Sequence, residues 1–304
     1  PPSEEKYFFN RNAEPGFTFY ERGMVNGERK RDFIDAGDAR PLGVLIYYLL
    51  SDQASDVSLS ILDADGDVIR TFTQDEIPTQ RFLSFDNRGY EQDLVTGQPR
   101  ATVSKGLNRF VWDMRYPSVS GIPGVPPVKV NPIAKPGTYQ VRLTVDGQSQ
   151  AESFELRMNP NEPYTRQQTD AKGEFWMKLY DKAEEGVQSV LEAQAARQKV
   201  AEVLANTGGS AELKAQAAVV DELSAEFIGS MVATGRTLVQ IISEPTKPLS
   251  KLVTLHNILE HSEGPPNQPL IEVYQKTAAE MDAATAEFAS ELAAEMDEFD
   301  ALAE

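Results

Sequence analysis

The character of the chain changes near residue 160, and that change limits the fold more than any single motif. Before it lie most of the proline, glycine and β-forming residues; after it Ala, Glu, Gln, Lys and Leu dominate. The contrast reads as a β domain followed by a helical one. At 304 residues the chain is about twice the ~150 residues of a typical domain, which fits that division. The expected parts are an extended lead-in over 1–38, a β-sandwich over 39–160 and a helical bundle over 161–304.

Charge and composition remove most of the usual chemistry. Lys and Arg number 29 and Asp and Glu 47, a formal net charge of −18. That balance argues against nucleic acid and against an anionic membrane surface, both of which need clustered cations. No apolar run approaches the ~18 residues of a membrane span. Cysteine is absent, which excludes disulfides, thiolate catalysis and Cys-ligated metals. The first residues, Pro1-Pro2-Ser3, carry no initiator Met, so the chain is expected to be processed or to continue upstream.

Within the first half, residues 1–38 scatter aromatics without a sustained period and read as extended chain. Residues 43–50 form a continuous apolar run of strand length, which suggests a strand covered on both faces. Val57, Leu59 and Ile61 alternate with Ser58, Ser60 and Leu62. Asp65-Gly66 then separates them from Val68–Phe72, the pattern of a hairpin whose two central residues take positive φ. Residues 82–85 and 107–115 supply further strands, with residues 86–106 mostly loop. Six prolines between 117 and 136 read as a long, stiff, irregular connection. Tyr139, Val141, Leu143 and Val145 share one face before a second turn at Asp146-Gly147. About seven short strands at turn-separated intervals read as an antiparallel sandwich of immunoglobulin type.

Residues 160–164 are the linker, and Thr165 or Thr169 is placed to cap a first long helix ending near Asn206. Its stripe is Phe175, Leu179, Ala183, Val187, Val190, Leu191 and Gln194. Gly208-Gly209 breaks it, and Ser210 caps a second helix with Leu213, Ala217, Val220, Leu223, Phe227 and Met231 inward, stopped by Pro245 and Pro248. A shorter helix over 249–261 buries Leu252, Leu255, Ile258 and Leu259. A last one runs from about Gln268 to the C-terminus on Leu270, Tyr274, Met281, Ala284, Phe288, Leu292 and Phe299. Spacings of three and four are those of an antiparallel three- to four-helix bundle.

Candidate chemistry is sparse. Asp63, Asp65 and Asp67 resemble a calcium loop, but Gly66 falls between the second and third Asp, so a hairpin turn is favoured over a metal site. His256 and His261 are five apart, off the spacing that places two ligands on one helix face, and read as surface or helix-end residues. Carboxylates from Glu291 to Glu304 read as a solvated helix face. No nucleophile elbow, phosphate loop or dinucleotide fingerprint is present, and neither a catalytic residue nor a cofactor is expected. Trp112 lies in an alternating strand and is expected in the core. Trp176, near the start of the first long helix, is expected to pack against the β domain. With Tyr90 and Tyr116 it is also a candidate ligand-contact aromatic.

Three stretches carry a resemblance: Ile61–Phe72, Gly106–Pro117 (Gly-Leu-Asn-Arg-Phe-Val-Trp-Asp-Met-Arg-Tyr-Pro) and Pro136–Leu143. In this order, with helical patterns at Thr165–Val190, Leu252–Leu259 and Pro265–Tyr274, they resemble the C-terminal region of large bacterial exported proteins. Those proteins carry a sortilin-like, BNR-repeat β-propeller and are often labelled glycosyl hydrolases. The resemblance covers nearly all of residues 40–304. It implies an exported protein (periplasmic, cell-surface or extracellular), a propeller upstream of Pro1 and a lead-in that leaves it. Any hydrolase label belongs to the propeller, so no catalytic residue carries over.

The expected function is a non-catalytic structural or interaction module whose partners are its own upstream propeller, another protein chain or a glycan. The rivals are a carbohydrate-binding accessory module and a hydrolase with an acidic pair at the interdomain cleft.

Overall fold

A computed structural model describes residues 5–7, 20–25, 28–33, 43–75, 82–85, 91–94, 100–125, 128–160, 163–233, 246–262 and 264–303. The chain divides into two compact units. One comprises Pro1–Arg115 with Lys135–Pro163, the other Tyr116–Ala134 with Tyr164–Glu304. The chain therefore passes between units three times, and the proline-rich segment groups with the helices.

The first unit contains eleven described strands: β1 (Glu5–Tyr7), β2 (Tyr20–Val25), β3 (Glu28–Phe33), β4 (Val44–Leu50), β5 (Val57–Leu62), β6 (Val68–Thr73), β7 (Phe82–Phe85), β8 (Glu91–Leu94), β9 (Gly106–Trp112), β10 (Gly137–Val145) and β11 (Gln148–Met158). The largest sheet has the order β1-β11-β10-β5-β6, all antiparallel except the β1–β11 pair. β4 pairs antiparallel with β9, β2 with β3, and β7 with β8. The lead-in thus contributes strands, and β8 falls inside the stretch read as loop. Neither has the alternating apolar pattern that marks a half-buried strand.

Aromatic contacts join the β4–β9 ribbon to the large sheet. Phe110 lies 4.8 Å from Phe72, and Trp112 lies 5.8 Å from Tyr139 and 6.1 Å from Phe154. Trp112 is fully buried, as its strand position predicts. The two hairpin turns differ. At 146–147 both central residues have positive φ (47° and 84°) and Val145 pairs with Gln148, a two-residue turn. At 63–67 only Gly66 does (φ 90°). Its N–H donates to the Asp63 carbonyl while the Asp63 N–H donates to that of Asp67, so the loop is one residue wider.

The second unit contains four described helices: α1 (Arg166–Thr207), α2 (Ala211–Met231), α3 (Pro248–His261) and α4 (Gln268–Ala303). Thr165 and Gln168 form a capping box at α1, and the Ser210 side chain accepts from the Leu213 N–H at α2. α2 ends at Met231, well before Pro245. At 42 residues α1 is about 63 Å long at ~1.5 Å per residue.

Side-chain pairs give the helix directions. Lys182 with Asp282 (2.7 Å) and Lys199 with Asp300 (2.8 Å) show that α1 and α4 run parallel. Gln216 with Glu295 and Phe227 with Phe288 set α2 antiparallel to α4. Trp176 with His256 and Lys172 with Ser262 set α3 antiparallel to α1. α2 lies along the C-terminal half of the long pair and α3 along the N-terminal half, so the four described helices make three columns, one broken in two. Three columns require one parallel pair. The break faces Gly186, where an added Cβ would lie 2.3 Å from Met281 Cε, 3.0 Å from Leu249 Cδ2 and 3.3 Å from Met231 Cε.

Most of the expected stripes are buried. Leu191, Gln194, Leu223, Tyr274, Ala284 and Leu292 are only half-buried, and Ile258 is exposed, facing away from the column seam.

Candidate functional site

At the Asp63 turn, one carboxylate oxygen of Asp63 accepts from the Asp65 N–H (3.0 Å) and the Asp67 N–H (2.9 Å). It does the work of an Asx turn. Among the described residues no cluster of three or more His, Asp or Glu side chains is placed to hold a metal ion.

The three candidate aromatics do not come together. Tyr90 lies outside the described residues. Tyr116 is half-buried, its ring 6.4 Å from that of Tyr180 on α1. Trp176 is fully buried inside the helical unit, which leaves its ring no face for a sugar. Its indole N–H donates to His256 Nδ1 at 2.7 Å.

That bond corrects the reading of His256, which is 1% exposed rather than at the surface. An indole nitrogen can only donate, so His256 Nδ1 is an acceptor and the ring hydrogen sits on Nε2. Nε2 faces Glu260 Oε2 at 3.6 Å. Lys172, also buried, places Nζ 5.4 Å from the Trp176 ring centroid and donates to the Ser262 carbonyl, at the C-terminal end of α3 where a cation is favoured. His261 is exposed, its ring nitrogen 2.7 Å from the Asn257 carbonyl. The signal for His256 was present in the sequence: it sits in the Leu252–Leu255–Leu259 stripe.

A second polar site joins the proline-rich segment to α1. The segment doubles back: the Tyr116 N–H donates to the Pro132 carbonyl and the Val119 N–H to the Val130 carbonyl. Val119, Ile122, Val130 and Ile133 are buried. Glu184 accepts from the Ser120 N–H (2.8 Å), the Ser120 hydroxyl (2.7 Å) and Gln188 (2.7 Å). Gln194 donates to the Pro123 carbonyl at 3.1 Å. Burial pushes the Glu184 carboxyl up, but the Ser120 and Gln188 donors outweigh it and hold the group below the usual carboxylate value. Three residues away, partial burial and then Glu185 raise Asp181. Carboxyls driven apart on one helix turn can mark an acid–base pair. Here the donors that lower Glu184 are those that fasten the segment, so the group is committed to holding chain. No local sequence signal could have paired residues 120 and 184.

The Trp112-Asp113-Met114-Arg115 stretch ends the first pass through the β unit. Met114 is held at φ 61°, a conformation that costs a non-glycine residue on the order of 1–3 kcal/mol. The Trp112 indole N–H donates to the Arg115 carbonyl (3.2 Å), and the Arg115 N–H donates to Asp113 Oδ1 (3.1 Å). Arg70 lies over Phe72 and 3.9 Å from Asp113; burial lowers its guanidinium, and Asp113 opposes that shift.

Among the described residues, the two most exposed large apolar side chains face each other on one surface. On the β4–β9 ribbon Val44, Ile46, Tyr48 and Leu50 face inward and are buried. On the other face Leu49 opposes Leu107 and Tyr47 opposes Arg109, and both leucines are 73% exposed. The run read as covered on both faces is covered on one among the described residues.

No family model, curated protein or solved structure matches the chain. Among the described residues no helix is long and apolar enough to cross a membrane.

Proposed function

We propose that this chain is a non-catalytic structural and interaction module of an exported bacterial protein. In this reading an immunoglobulin-type sandwich and a helical bundle follow a sortilin-like β-propeller. The observation that carries it is the outer face of β4–β9. Leu49 and Leu107 stand opposite each other in the register and mostly exposed, beside Tyr47. A strand apolar on both faces is suited to burial on both, and a contiguous exposed apolar patch marks a contact surface. The upstream propeller is the partner this face would seat. The motif order Ile61–Phe72, Gly106–Pro117 and Pro136–Leu143 supports that assignment. The charge of −18 biases the remaining surface toward cationic partners.

The test is the double variant Leu49→Lys with Leu107→Lys in the full-length native protein. The expected result is faster proteolytic separation of this module from the upstream part, with the near-ultraviolet signal of the sheet unit unchanged. An unchanged cleavage pattern would sink the reading.

A carbohydrate-binding role draws on one observation, the half-buried Tyr116–Tyr180 pair. It predicts that Tyr116→Ala abolishes retention on a glycan column. Equal retention of variant and wild type removes it.

A further inference from the structure

We propose that the Trp176–His256 bond is an acid-sensitive latch that fastens α3 to α1. The geometry fixes the chemistry. Trp176 Nε1 and His256 Nδ1 are 2.7 Å apart, both side chains are buried, and the indole nitrogen always carries its hydrogen. The bond exists only while Nδ1 is bare. A second proton on the imidazole goes to Nδ1, where it would point at the indole hydrogen. At 2.7 Å no water fits between, so the ring must withdraw from the indole. Turning the ring over would place Cδ2 against the indole instead and restore nothing.

Charged groups on the surrounding helices act in opposite senses. Glu260, on α3 itself, stands 3.6 Å from Nε2 and favours a charged ring. Lys172, on α1, sits over the same indole and disfavours one. On α4, Glu280 is held by Lys251 and Asp282 by Lys182. The indole N–H opposes the charged ring at the atom that must take the proton. The latched state binds one proton fewer at this ring than the released state, so acid drives release. A released imidazole takes its second proton as the pH falls below about 6.5, so acid favours release progressively from there downward. Opening frees the centre of α3, whose C-terminal end Lys172 still caps through Ser262.

The chain has two tryptophans and two histidines, so the assignment is clean. Indole and imidazole nitrogen resonances of the full chain are followed from about pH 7.5 to about pH 5.5. At neutral pH the latch requires His256 Nδ1 to be unprotonated and Nε2 to carry the hydrogen. On acidification the Trp176 indole resonance should move, and its protection from exchange, relative to a free indole at the same pH, should fall on the order of tenfold, as for one lost buried hydrogen bond. His256→Asn keeps an acceptor near the Nδ1 position that takes no proton, and it should abolish the response. His261→Asn should keep it. A hydrogen on His256 Nδ1 at neutral pH overturns the proposal without any variant. So does a Trp176 resonance that ignores pH, or a His256→Asn chain that responds as wild type does.

Discussion

The two halves of the helical unit bury the same pair of long helices in different ways. Beside α2 the seam is mostly apolar: Ala196, Val200, Leu213, Ala217, Val220 and Phe299 form one cluster, with Gln216 and Ser224 the buried polar residues of α2. Beside α3 the seam carries Lys172, Trp176 and His256, all but fully buried and joined by directed bonds. Hydrophobic burial is non-directional and tolerates small shifts. A buried polar contact holds only in one geometry and one protonation state. The α2 half is thus suited to permanence and the α3 half to response, although α1 and α4 run through both.

The largest expected effect breaks the apolar half. Phe299→Ala should cost about 3–5 kcal/mol in urea unfolding, the range for emptying a buried aromatic site. It should raise amide exchange along α2 while leaving the Trp176 indole resonance in place. A change in that resonance would mean the halves are not separable.

Removing the indole N–H attacks the other half. Trp176→Phe leaves His256 Nδ1 buried without its donor, and the expected loss is about 1–3 kcal/mol. Exchange should rise in α3 and stay low in α2, the mirror of the first variant. Gly186→Val strikes where the halves meet, because Met281, Leu249 and Met231 crowd the added carbons. Overpacking of this kind costs about 1–3 kcal/mol, and exchange should rise in both α2 and α3.

A smaller effect concerns the proline-rich segment. Glu184→Gln should lower stability by about 1 kcal/mol and speed proteolytic cleavage near Ser120. Its pH dependence has a defined sign. The folded carboxyl lies below its ordinary value of 4.5, so its contribution is complete above that pH and fades as the pH falls through the lower, folded value. The difference between wild type and variant should therefore shrink in acid; a difference that grows there would contradict the clamp. Arg166→Ala, which removes an exposed i,i+4 pair with Asp170, should change stability by no more than about 0.5 kcal/mol.

Local signals carried the helical unit well. Thr165, Ser210 and the Gly208-Gly209 break mark helix ends through bonds that span a few residues, and the apolar stripes repeat within each helix. The turns at 63–67 and 146–147 were legible as turns but not as two different types, because Asp-Gly serves both. Residues far apart in sequence left no such trace. Ser120 meets Glu184 across 64 positions and Trp176 meets His256 across 80. The parallel course of α1 and α4 follows from placing α2 and α3 end to end, a consequence of packing rather than of any helix's own pattern. The apolar run at 43–50 announced a strand; its alternate residues could not say what lies on each face.

That outer face is where the proposed role stands or falls. The direct measurement is photo-cross-linking from a benzophenone side chain placed at position 49 in the native, full-length protein, followed by peptide sequencing. The account predicts cross-links to peptides upstream of Pro1 that bear repeated β-propeller sequence, and none from a control at exposed Asp65. Cross-links confined to this chain, or a native protein with no propeller upstream, would contradict it.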